Sequence, residues 1–272
     1  MAELKAIIFD MDGTLADTED IHRQAFNRAF AEFDLGWVWP FEEYKRLLAI
    51  SGGKERIRSY MEEQQTEPVE GLSLDELVIR IHQRKSDIYR EMLVNGQIQL
   101  RNGVVRLINE ARDEGLILAI ATSSCKANVD TLLRNTLGEN ALALFSSIVS
   151  SNTVTEKKPS PAAYLRALDE IAIPAENCIA LEDTYNGNRS ALAAGLPTVI
   201  TTHPYTASDD FSGAAIVVDQ LGEPEQGFEL ISGNCFSRNI VDVELLKQIR
   251  KNSTGIAGAI PGPDEELAAA TS

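Results

Sequence analysis

Short apolar runs of strand length recur along the chain: Ala6–Phe9, Ile117–Ala121, Ser147–Val149, Cys178–Leu181, Thr198–Ile200 and Ala214–Val218. Continuous apolar character over so few residues is how strands covered on both faces read. Helical stretches separate most of them, and Gly115, Gly195 and Pro197 punctuate the joins. Strand and helix in alternation predict an α/β fold built on a doubly wound, Rossmann-like parallel sheet. Such sheets bind ligands beyond the carboxyl ends of their strands, so the residues that follow each run are where chemistry is expected.

One region breaks the alternation. From about Asp17 to about Asn95 the pattern is helical throughout. Ile21, Ala25, Ala29, Phe30 and Phe33 make one apolar face at a spacing of three and four. Ile57, Tyr60 and Met61 suggest a second helix. Leu74, Leu77, Val78, Ile81 and Ile88 suggest a third that runs on toward Met92. The expectation is an α-helical cap, residues 17–98, inserted just after the first strand. Its two connections to the α/β core (1–16 and 99–235) would make a natural hinge. Residues 236–272 read as a C-terminal extension. Val241–Ile249 could form a short docked helix, and the Gly-, Ala- and Pro-rich Gly255–Ser272 reads as weakly ordered.

The chain has 272 residues, 44% of them hydrophobic, which is enough for a full core. Its net charge of −16, from 41 acids against 25 bases, argues against nucleic acid or an anionic membrane as partner. The same charge repels phosphorylated metabolites at long range. A phosphate site would have to be built locally, from a metal ion and a few lysines. Cys125, Cys178 and Cys235 are scattered, with no CxxC or zinc spacing, and a reducing cytoplasm is the simplest setting. No apolar run approaches the ~20 residues of a membrane span. With the first strand beginning at about Ala6, the expectation is a chain without a signal peptide. A cytoplasmic monomer acting on a small molecule is the expectation.

The first run ends in Asp10-Met11-Asp12-Gly13-Thr14. A carboxylate there can attack phosphorus, and a second one two residues on can serve as general acid and then base. Taken alone, the same residues could be a strand followed by an Asp-Gly turn. Thr122-Ser123-Ser124 ends the second core run. Its hydroxyls and free amides can hold phosphate oxygens, or simply form a helix-cap loop. Lys157-Lys158-Pro159 precedes a helix that starts near Pro161. A lysine there can neutralise charge shared by aspartate and phosphate, or be solvated surface. Glu182-Asp183 closes a further run, offering hard oxygen ligands for Mg²⁺ or a helix N-cap.

Each signal is modest alone, but their order at four strand ends resembles the haloacid dehalogenase superfamily. The resemblance implies that Asp10 is the nucleophile and Asp12 the general acid/base, with Thr122 and Lys158 binding phosphate. It also implies Mg²⁺ held by Asp10, the Asp12 carbonyl and Asp183, with Glu182 contributing directly or from behind. Asp17-Thr18-Glu19 with His22, Ser51-Gly52-Gly53-Lys54-Glu55-Arg56 and His82-Gln83-Arg84-Lys85 narrow the likeness to the CbbY-like branch, close to the β-phosphoglucomutases. The implied activity is that of a sugar-bisphosphate phosphatase, with xylulose-1,5-bisphosphate as the named substrate. Asp17, His22, Gly52, Gly53, Lys54, Arg56, Lys85 and Ser123 are then candidate substrate contacts. Glycines at 52 and 53 allow close backbone approach, while Lys54, Arg56 and Lys85 supply cations for a distal phosphate. Two alternatives stand beside this reading: a β-phosphoglucomutase, whose phosphoaspartate returns its phosphoryl group to a sugar hydroxyl, and a non-catalytic phosphate-binding protein.

Overall fold

The computed structural model describes residues 3–50, 52–65, 72–95 and 98–253. The tail Gly255–Ser272 and Ser51 of the glycine motif lie outside the described residues. Every residue of β1 (Ala6–Phe9) is buried. It pairs in parallel with β2 (Ile117–Ala121) and β4 (Cys178–Glu182). β3 (Ser147–Val149), β5 (Thr198–Thr201) and β6 (Ile216–Val218) extend the sheet outward, also in parallel. The full order is β3-β2-β1-β4-β5-β6-β7.

The last strand, β7 (Leu230–Gly233), is antiparallel to β6, and all its residues are exposed. It carries no buried apolar run, which is why the hydrophobic pattern does not announce it.

Side chains alternate across the sheet as the two-residue strand period requires. Ile7 and Phe9 face one apolar cluster, and Ala6 and Ile8 face the other. The first cluster takes up α5 (Val104–Asp113), α6 (Lys126–Leu137) and α9 (Val243–Asn252). The second takes up α7 (Ala162–Ile171) and α8 (Tyr185–Ala193). Helices on both faces make the sheet doubly wound. α9 is the docked helix expected near Val241–Ile249, with its first turn capped by the Asp242 side chain. Asn188 fastens α8 to β5: its amide donates to the Ser212 carbonyl, and its oxygen accepts from Thr198 Oγ1 at 2.7 Å.

Between β1 and β2 the chain forms α1 (Glu19–Glu32), α2 (Phe41–Leu47), α3 (Gly53–Glu63) and α4 (Leu74–Val94). Ser73 and Glu76 form a reciprocal capping box at the start of α4. Phe26, Phe30, Trp39 and Tyr44 bury an aromatic cluster between α1 and the turn into α2. α2 is short and follows Pro40, so it offers too few turns for its own periodic signature. The two chain connections run side by side: Ala16 bridges Leu100, and the Arg101 amide donates to the Leu15 carbonyl at 2.9 Å. The Arg101 guanidinium then donates to the carbonyls of Thr201, Thr202 and Asp219, which ties this crossing to the ends of β5 and β6.

Candidate active site

Strand register sets the first half of the site. Phe9 lies beside Ile120 and Leu181, so the chain leaves the sheet at neighbouring points as Asp10, Thr122 and Glu182-Asp183. A cavity of about 800 Å³ opens there. Asp10, Asp12, Thr122, Ser123, Lys158 and Asp183 line it from the sheet side. His22, Gly52, Gly53, Arg56, His82 and Lys85 line it from the inserted helices.

Lys158 is 6% exposed and donates to Asp10 Oδ1 at 2.6 Å and to Glu182 Oε1. Glu182 is wholly buried and does not line the cavity. Its Oε1 also accepts from the Tyr164 hydroxyl at 2.6 Å, and the Tyr164 ring lies 5.1 Å from the ammonium. Glu182 and Tyr164 thus hold Lys158 from behind. Burial and then the neighbouring Glu182 and Asp183 push the Asp10 carboxyl well above its ordinary range, against the pull of Lys158. Burial also raises Asp183, to about 6, although a hydrogen bond from His203 opposes the rise.

Asp12 behaves in the opposite way. Burial raises its pKa, but the hydrogen bond and charge of His22, with hydrogen bonds from Ser124 and Thr18, outweigh that. The carboxyl therefore rests well below the usual range. The Thr18 hydroxyl donates to Asp12 Oδ1 at 2.7 Å and the Ser124 hydroxyl to Oδ2.

On the helical side, Lys85 Nζ donates to His22 Nδ1 at 2.6 Å, and His22 Nε2 lies 3.4 Å from Asp12 Oδ1. The His22 ring stacks on Tyr89 with centroids 4.0 Å apart. Burial and then the nearby Arg56 charge lower Lys85 to about 8. Burial, Lys85 and Lys54 lower His82 to about 4. Arg56 donates to the carbonyls of Leu47 and Ile50 and to the Tyr44 hydroxyl, so much of its donor capacity already braces the loop before α3. Gly53 leaves room for the His82 ring, which a Cβ there would meet at 2.8 Å.

Two of the expected contacts are not brought to the cavity. Asp17 and Lys54 are exposed and do not line it. Lys54 lies between Gly53 and Arg56 on α3, two positions from Arg56, and residues two apart point to different sides of a helix. Other residues join the site without having been singled out from the sequence: Glu19, Tyr44, His82 and Ser124 at the cavity, and Tyr164 and His203 behind it. Glu19, His82 and Ser124 sit inside the motifs that carry the resemblance. Tyr164 and His203 carry no local signal, because their partners are far away in the chain.

The donor set suits a hard divalent cation. Among the described residues, Asp10, Glu182 and Asp183 place one carboxylate oxygen each within 4.8 Å of one another, all buried. Burial first, and then the neighbouring acids, raise Asp10 and Asp183, a cost that a bound cation would offset.

Comparison with known proteins supplies the family. A family model described as haloacid dehalogenase-like hydrolase matches residues 7–201. The CbbY protein of the Cupriavidus necator plasmid is 44% identical over 223 residues, spanning 82% of this chain and 88% of that one. The Rhodobacter capsulatus CbbY protein is 45% identical over 212 residues, spanning 78% and 91%. The crystal structure of CbbY from Rhodobacter sphaeroides with phosphate superposes with a TM-score of 0.74 at 41% identity, covering 80% of this chain and 94% of that one. An Asp-to-Asn variant of the same protein, in complex with xylulose-(1,5)-bisphosphate, matches at 40% identity with the same score and coverage. With sequence and fold in agreement over most of its length, the chain belongs to the haloacid dehalogenase-like hydrolases, in their CbbY-like branch.

Proposed function

We propose that this chain is a Mg²⁺-dependent phosphatase of phosphorylated sugars, acting on a sugar bisphosphate such as xylulose-1,5-bisphosphate through an aspartyl-phosphate. The observation that carries the reading is the 2.6 Å contact of Lys158 with Asp10, in one cavity with Asp12 and Asp183. The bisphosphate bound to the Rhodobacter sphaeroides relative supports the substrate class.

Asp10 attacks phosphorus, and the bond to the leaving sugar oxygen breaks. Asp12 gives that oxygen a proton, then takes one from the water that hydrolyses the aspartyl-phosphate. Its hydrogen bonds hold it ionised at rest, and a phosphate dianion alongside raises its proton affinity for the first step. Lys158 and Thr122 steady the transferring phosphoryl oxygens. Asp10 and Asp183, with the Asp12 carbonyl, would hold Mg²⁺, which offsets the charge between nucleophile and phosphate. Glu182 serves by fixing Lys158. Lys85, with Arg56 and His82, faces the far end of the substrate, while His22 steadies Asp12 at the reacting end.

The test is a panel of phosphorylated sugars, mono- and bisphosphates, assayed with and without Mg²⁺, measuring both released phosphate and isomerised sugar. Phosphate release that favours a bisphosphate and needs Mg²⁺ is expected. Isomerised product without stoichiometric phosphate would overturn the reading in favour of a mutase. No turnover of any sugar phosphate would overturn it altogether.

A further inference from the structure

Behind the acid cluster stands a histidine that the proposed chemistry does not use. His203 follows β5 and is 6% exposed, and its Nε2 lies 2.9 Å from Asp183 Oδ2. Its other ring nitrogen, Nδ1, is buried with no partner among the described residues. The remaining Asp183 oxygen, Oδ1, accepts from the Thr14 hydroxyl at 3.1 Å. Each carboxylate oxygen is therefore held from a different segment: Oδ1 from the loop after β1, and Oδ2 from the loop after β5.

That second loop is itself closed by hydrogen bonds. The His203 amide donates to Thr206 Oγ1, and its carbonyl accepts from the amides of Thr206 and Ala207 at 2.9 Å. The preceding carbonyl, of Thr202, accepts from Arg101 at 2.6 Å. Packing leaves the pair no slack. Gly13 has a φ of +87°, and a Cβ on it would run into both the Asp183 carboxylate and the His203 ring.

A neutral imidazole that donates through Nε2 leaves only a lone pair at the unpartnered Nδ1. A hydrogen-bonded carboxylate ligand is fixed in orientation, and such outer partners commonly govern metal affinity by ten- to a hundredfold. We propose that His203 is a positioning residue that orients the Asp183 carboxylate for the divalent cation. The inference rests on the reading above, in which Asp183 is a Mg²⁺ ligand.

The experiment is calorimetric titration of MgCl₂ into the full chain, as wild type, His203→Leu and His203→Gln. The Gln side chain can return an N–H near the position of Nε2, whereas Leu cannot. The Leu variant should bind Mg²⁺ at least about tenfold more weakly, and the Gln variant should recover most of that loss. In steady-state assays, raising Mg²⁺ should restore the kcat of the Leu variant, which a general loss of structure would not allow. Should the Leu variant not fold, His203→Asn, too short to reach Oδ2, takes its place with the same expectation. Wild-type binding with an unchanged Leu or Asn variant would overturn this inference alone, as would a Gln variant as weak as Leu. Wild type that shows no Mg²⁺ binding would overturn the metal reading and this inference with it.

Discussion

The two walls of the cavity are built on opposite electrostatic plans. The sheet wall concentrates acids, Asp10, Asp12 and Asp183, around a single lysine. The helical wall concentrates cations, Arg56 and Lys85, beside two histidines, with Glu19 as its acid. Each wall is overcrowded with its own sign. Asp10 and Asp183 are pushed up, and Lys85 and His82 are pushed down. Burial alone would move groups in these directions, and the like charges add to it. A sugar carrying two phosphates, with a divalent cation at one end, relieves both walls at once. On the proposed reading the chemistry falls to one wall and recognition to the other, and variants on each side should separate the two.

The sharpest break comes from the proposed nucleophile. Asp10→Asn should lower turnover on the order of a thousandfold or more while the protein stays folded. Its unfolding temperature should not fall, because the variant removes one of three crowded acids and Lys158 keeps Glu182. Wild-type hydrolysis in this variant would move the chemistry away from the sheet wall. Lys158→Met comes next, and it should also impair folding. Removing one partner of a buried ionic cluster costs about 3–5 kcal/mol. The deficit has a sign in pH. Asp183 has its pKa raised to about 6, so its contribution to stability is present at low pH and lost as pH rises through that value. Without Lys158, which pulls Asp10 down against burial, that carboxyl is raised further. Urea unfolding should show the variant closest to wild type near pH 5 and furthest from it above pH 7. A deficit independent of pH would argue against Lys158 as the counter-charge.

The two walls also differ in how much of them the sequence discloses. Asp10, Asp12, Thr122, Lys158 and Asp183 each follow a short apolar run, or stand just before a helix. A parallel sheet brings strand ends together by construction, so their order along the chain, read with the resemblance it carries, points to one pocket. Glu182 was visible as an acid at a strand end, but its place behind Lys158 depends on Tyr164, which approaches from another helix. The helical wall has no comparable rule. A helix spreads successive residues around its circumference, so the tract from Gly52 to Arg56 could not all face one way. Gly53 and Arg56 reach the cavity and Lys54 does not. His203 and Tyr164 matter through contacts with residues far off in the chain, and no window of sequence contains both partners. β7 lacks the burial signal on which strand recognition depends.

The recognition wall can be sharpened by charge. Lys85→Met should raise the KM for a sugar bisphosphate by about tenfold or more, with a smaller effect on a monophosphate. In wild type the ammonium, lowered to about 8, is charged below that pH and neutral above it. The KM for the bisphosphate should therefore be flat from about pH 7 to 8, where the substrate phosphates are already dianions, and rise about tenfold per unit above it. A monophosphate that leaves the helical wall unoccupied should lack this rise. If both substrates show it, the titrating group belongs to the chemistry and not to the far end of the ligand.

The smallest effect is expected at Lys54, and it bears on how the helical wall is read. A motif taken as a block would count Lys54 among the cations for a distal phosphate, together with Arg56 and Lys85. The structure leaves its side chain in solvent and outside the cavity. An exposed cation interacts with a charge across water, where salt screens it within about 8 Å at physiological ionic strength. Lys54→Ala should then change the KM for a bisphosphate by no more than about twofold, and the difference should vanish in added salt. Among the described residues it helps depress His82, so the variant should let that imidazole titrate at a slightly higher pH, as histidine NMR would show. A large, salt-resistant loss specific to bisphosphates would mean that α3 turns its first residues inward when substrate binds. The helical wall would then be assembled by the ligand, in contrast to a sheet wall already in place.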